Sequence, residues 1–175
     1  MAILIIVLRI IHIFSGVFWV GFSFFNIGFL QPTVKATGAE GQKTMQYLTQ
    51  KTRLLSSVYT TATLTMLSGL ILYWILSGFQ LSFIGSGYGL VLTIGGIAGI
   101  IAWIYAVVVI RGIFQQMQII GREIQAQGSP PTPEQASQMQ ALVARLGQVG
   151  QVAVVFLVIA LLSMATARYI PLIVG

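Results

Sequence analysis

An all-α bundle of four membrane-crossing helices is the fold this sequence predicts, and three observations predict it. Hydrophobic residues make up 57% of the 175-residue chain and charged residues 7%; a soluble domain carries about a quarter charged residues. No fully charged residue interrupts positions 10–34, 54–110 or 146–167. Finally, seven of the nine basic residues, Lys35, Lys43, Lys51, Arg53, Arg111, Arg122 and Arg145, lie in or beside the first and third connections between apolar stretches.

A crossing takes about 20 apolar residues, so the two shorter stretches hold one helix each and the long one holds two. The long stretch breaks at "SGFQLSFIGSGYG", where Gly and Ser cluster as in a turn. The expected crossings are about 3–30, 53–77, 88–116 and 146–172, with a helical hairpin at about 117–145, all in a single domain, 1–175. The first crossing is expected to remain in the mature chain, because no positive residue precedes it, Arg9 interrupts it and no small-x-small cleavage site follows. The placement of the basic residues puts the connecting extensions in the cytoplasm and both termini outside. Tyr73, Trp74, Tyr88 and Tyr169 then fall at the outer interface, as an aromatic belt would. The surplus positive charge of +6 reads as topology plus contact with anionic membrane lipids, not as a nucleic-acid interface.

Beyond the bilayer, "SPPTPEQ" is a helix start: Thr132 is the N-cap, Pro133 suits the first helical position, and Gln135 completes a capping box. The third crossing is expected to run on through "QQMQIIGREIQAQ", and "AEGQKTMQYLTQKTR" to form a helix feeding the second.

On the first crossing, positions 9, 12, 16, 19, 23, 26 and 30 form one stripe reading Arg, His, Gly, Trp, Ser, Asn, Leu. Polar groups in lipid need protein partners, so the stripe predicts that Arg9 and His12 face the bundle. The third crossing supplies Gly95 and Gly99, a small-xxx-small step that permits close helix approach or leaves room for a flat ligand. The fourth places Met164 one turn inward of Arg168. Depth counting brings His12, Met164 and the glycines to one level and the two arginines nearer the outer surface. That group suits a haem b with iron on His12, Met164 a candidate sixth ligand, and propionates toward Arg9 and Arg168. The alternative is a histidine that hydrogen-bonds a Ser or Thr while Arg9 snorkels to headgroups.

Other chemistries lack their residues. The three acids, Glu40, Glu123 and Glu134, all fall outside the apolar stretches, which removes the usual carboxylate relay. There is no cysteine, so disulfides and thiolate–metal sites are excluded. His12 has no Asp or Glu companion for a zinc site. "GSGYG" contains the Gly-Tyr-Gly of potassium filters but not the preceding Thr-Val or pore helix.

The segment "LRIIHIFSGVFWVG" resembles the first helix of the four-helix membrane proteins related to copper resistance protein D and of HemJ-type protoporphyrinogen oxidases, in which a histidine precedes a tryptophan by seven positions, as His12 precedes Trp19. "TRLLSSVYTTATLTMLSGLIL" is similar to their second helix, and "LLSMATARYI" to the fourth helix of bacterial members of the same group. The resemblance implies a bacterial inner-membrane protein in which His12 is associated with haem. The family's lysine opening the third helix has no counterpart in "GYGLVL", and Asn26 or Leu30 stands nearest to its arginine closing the first. What carries over is haem binding with a redox or electron-transfer role, ahead of porphyrinogen oxidation. The competing expectation is a non-catalytic accessory subunit of a larger respiratory or photosynthetic membrane complex; the expected partners are membrane lipids and either a homo-oligomer or such a complex.

Overall fold

In the computed structural model, which describes residues 1–170 and 172, the chain is helical throughout apart from short turns. Six helices follow in order: α1 (Ala2–Thr37), α2 (Ala39–Gln50), α3 (Leu54–Ser77), α4 (Leu81–Gly85), α5 (Gly87–Gln127) and α6 (Pro133–Tyr169). Four of them, α1, α3, α5 and α6, are long and apolar enough to cross a membrane. They run up and down in sequence, so the protein is an all-α, multi-pass membrane bundle.

Only α3, at 24 residues, is close to the length of one crossing. The 36, 41 and 37 residues of α1, α5 and α6 exceed a hydrocarbon core of about 30 Å by about 20–30 Å at 1.5 Å per residue. The excess lies at one end, where α2 also packs and where Lys35, Lys43, Lys51, Arg122 and Arg145 collect. This is the basic end. α1 thus continues past Leu30, and α5, the third crossing, runs to Gln127, where Gly128 adopts a left-handed conformation that ends it. Thr132 Oγ1 accepts from the Gln135 N–H while the Gln135 side chain accepts from the Thr132 N–H, closing the capping box that starts α6.

Two helices contain a wide, π-type turn, Asn26–Leu30 in α1 and Tyr105–Ile110 in α5. Each shifts the helical register, so a regular stripe drawn across it does not stay on one face.

The helices pair as α1 with α3 and α5 with α6, and the pairs meet around Trp19, Val58, Ala62, Ala102, Ala106 and Leu157. Trp19 supplies the bulk of this core, and alanines on the facing helices make way for it. Small residues set the approach within each pair. A Cβ on Gly95 of α5 would lie 2.8 Å from Ser163 Cβ of α6, and one on Gly69 of α3 would lie 2.8 Å from His12 Cε1 of α1. Large apolar side chains such as Ile3, Phe14, Val17, Phe29 and Val155 are exposed all round, the surface that lipid solvates.

Candidate functional site

His12 sits in the seam between α1 and α3. Its Nδ1 is 2.9 Å from the Thr65 carbonyl oxygen and 3.4 Å from Ser68 Oγ. The Ser68 hydroxyl donates to the Leu64 carbonyl at 2.6 Å, so the proton on the pair belongs to Nδ1, which donates to Thr65 O. A Ser or Thr within a crossing helix bonds back to its own carbonyls in this way, and the Thr65 carbonyl, 3.2 Å from Ser68 Oγ, also accepts from the imidazole. Gly69 makes the ring's position possible, because any side chain there would collide with it. Below His12, Thr65 Oγ1 lies 2.9 Å from Ser15 Oγ, and Ser15 is buried. The seam is a short polar strip with its hydrogen bonds closed between the two helices.

The consequence for chemistry is that Nε2 is left over. Among the described residues it has no hydrogen-bond partner, and it is not among the buried, unpartnered atoms. An imidazole held through Nδ1–H to a backbone carbonyl, with its Nε2 lone pair available, is the arrangement of a histidine oriented to bind a metal.

The rest of the sequence-predicted group is distributed differently. Trp19 is 4% exposed and forms the core two turns along α1 from His12. Arg9 is exposed while its neighbour Leu8 is buried; the face toward α3 takes in 8, 12, 15, 16 and 19, a Cβ on Gly16 lying 3.5 Å from Thr65 Cγ2, and leaves out 9. The stripe therefore holds for His12, Gly16 and Trp19 and fails for Arg9. Its physical reason is that a guanidinium near a helix end reaches headgroups and water by turning outward, whereas an interior place would leave it unpaired. Arg168 is likewise exposed, its guanidinium stacked 4.6 Å from the Tyr169 ring centroid. Gly95 is buried, but the space it leaves is filled by Ser163, the Ala160 carbonyl and Met164 Cγ, so it is a packing glycine of the α5–α6 seam. Met164 is engaged there and 38% exposed, on a different seam from His12. A Cβ on Gly99 would meet nothing within 4 Å, so no close helix approach depends on it.

The sequence offers a Ser or Thr as the partner of His12 and an outward Arg9, as found, but does not single out Ser68 or Gly69. The signal was present as a Ser-Gly step on α3, where an absent side chain can face a bulky ring. No group of three or more His, Cys, Asp or Glu side chains able to hold a metal occurs among the described residues.

Gly69 yields a direct test of this geometry. Gly69→Ala should displace the imidazole and break its bond to Thr65, because a Cβ would also lie 3.1 Å from Nδ1. The expected destabilisation is about 1–3 kcal/mol, read as a lower thermal midpoint in detergent. A midpoint equal to that of the unaltered protein would mean that His12 does not pack on α3.

Fold and seam together define a multi-pass, all-α membrane protein whose single histidine is anchored between its first two crossings. Comparison with protein-family models, curated proteins and solved structures returns no match for the chain.

Proposed function

We propose that this protein is a haem b-binding membrane protein with a redox or electron-transfer role, and that His12 Nε2 holds the iron. One observation carries the reading: Nδ1–H is fixed on the Thr65 carbonyl at 2.9 Å, which leaves the Nε2 lone pair free on a membrane-crossing helix. The donor chemistry fits haem in this respect. The cofactor, when bound, supplies a one-electron couple; the chain supplies an oriented imidazole. Arg9 and Arg168 lie toward the same end of the bundle as His12. Neither is in a salt bridge among the described residues, so both charges are open to propionates or lipid phosphates. Met164 is not used in this reading, since its contacts lie in the α5–α6 seam. An absorption spectrum of protein purified from haem-replete cells tests the proposal: a Soret band with reduced α and β bands is expected.

A second reading, a non-catalytic subunit of a larger membrane assembly, is favoured by Gly96 and Gly99. These glycines leave open space on α5 within the apolar region, which another helix can approach closely. Protein that is colourless and fails to take up added haem would put this reading first.

The bacterial inner membrane is the proposed location, with the basic end cytoplasmic. A cysteine at Ser86, between α4 and α5, should react with an impermeant thiol reagent added outside intact cells, and one at Ser129, between α5 and α6, should not. The native chain has no cysteine to confuse the readout. Labelling at Ser129 alone would reverse the orientation.

A further inference from the structure

A cavity of about 80 Å³ lies inside the bundle toward the basic end, on the far side of Trp19 from His12. Residues of all four crossings line it, mostly apolar, yet two polar atoms are stranded there. Asn26 Oδ1 and the Tyr59 hydroxyl are buried and have no hydrogen-bond partner. Leaving such groups unpaired is rare in folded proteins, more so where lipid and apolar side chains surround the site. Both atoms belong to residues that line this one cavity, together with Ser23, Gln31 and Thr49.

Volume decides what can satisfy them. A cavity of about 150 Å³ accepts a benzene-sized ring, whereas a single water takes about 10–15 Å³ and two to four polar partners. At about 80 Å³ the cavity falls well short of that and is roomy enough for several waters. The wide turns point to the same place. Asn26 and Ile27 come from the one in α1, Ala106 and Ile110 from the one in α5, and all four line the cavity. Two π-type turns at one level are uncommon, and such turns concentrate at functional sites.

The cavity has a polar neighbour and a floor. Thr49 lines it and also lines a larger polar groove of about 350 Å³ between α2 and α5, where Gln46, Lys51, Gln118 and Arg122 gather at the basic end. In the other direction Trp19, Ala62 and Ala102 are 4%, 0% and 0% exposed and close the bundle. We infer that this is a blind aqueous vestibule: water enters from the basic end past Thr49, hydrates Asn26 and Tyr59, and stops at Trp19. The vestibule admits water and solutes of similar size from one side of the membrane. It brings protons to the middle of the bundle without passing them across. The inference stands independently of haem binding.

Brief X-ray radiolysis of the wild-type protein in lipid nanodiscs, followed by mass spectrometry, tests it, because hydroxyl radicals form from the waters a side chain touches. Tyr59 and Met45, which line the vestibule, should be oxidised at rates comparable with Tyr47, which is 63% exposed beyond the apolar segment. Met66, in the apolar middle of α3, should stay near background despite the higher intrinsic reactivity of methionine. Thr49→Trp, which plugs the entrance, should lower Tyr59 oxidation several-fold and leave Tyr47 unchanged. Tyr59 at the background level of Met66 in the wild type would overturn the vestibule outright. Equal oxidation of Tyr59 with and without a folded Thr49→Trp plug would overturn the entrance at the basic end. If the plugged variant does not fold, the wild-type profile decides alone.

Discussion

Gly95→Leu should separate α5 from α6 and cost the bundle about 3 kcal/mol or more, the upper range for overpacking a tight interior. The added Cβ alone would lie 2.8 Å from Ser163 Cβ and 3.3 Å from the Ala160 carbonyl oxygen. The backbone oxygen cannot yield without moving α6. Gly99→Leu, one helical turn away, begins in open space and should cost much less. Gly99→Ala should be neutral or slightly stabilising, since alanine is the better helix former by about 1 kcal/mol in water. Thermal unfolding of the three variants in one detergent reads the difference. Equal losses for the two leucine variants would mean that the α5–α6 seam is not where the structure places it.

His12→Ala is the second large effect. In a wild type that shows the Soret band, the variant should lose it or show it strongly shifted, because the proposed protein–iron bond is gone. Arg9→Ala should weaken haem retention less: it removes one charge-assisted contact, about 1.5–3 kcal/mol, and Arg168 remains at the same end. Thermal stability separates the cofactor role from the packing role. The Nδ1 bond to Thr65 is lost in His12→Ala whatever the histidine's function, so a small drop in midpoint says nothing about iron. A spectrum unchanged by His12→Ala would place the pigment elsewhere and reduce His12 to a polar link between α1 and α3.

The four crossings and their extensions were legible because lipid imposes a length of apolar chain and water imposes polar ends, and both are local properties of sequence. The capping box at Thr132 was legible for the same reason, since its partners are three residues apart. The inward face of α1 was legible at His12 and Trp19 but not at Arg9. A stripe records which positions share a face, not which side chains stay there, and a guanidinium near a helix end reaches outward. Gly95 and Gly99 look alike in sequence; only the path of α6 makes one a contact and the other open surface. The wide turn at Asn26–Leu30 has a local cause in Pro32, which lacks an N–H and whose ring crowds the Gly28 carbonyl, whereas nothing in "YAVVVI" opposes an ordinary helix at Tyr105–Ile110. Both turns re-aim the residues beyond them, and with them the cavity at Asn26 and Tyr59. The sequence by itself therefore determined the class, the number of crossings and the identity of the one imidazole, all set by solvent and by near neighbours. The tertiary structure alone decided what that imidazole is bonded to, which glycine is filled, and which polar atoms are stranded, because each depends on a helix distant in the chain.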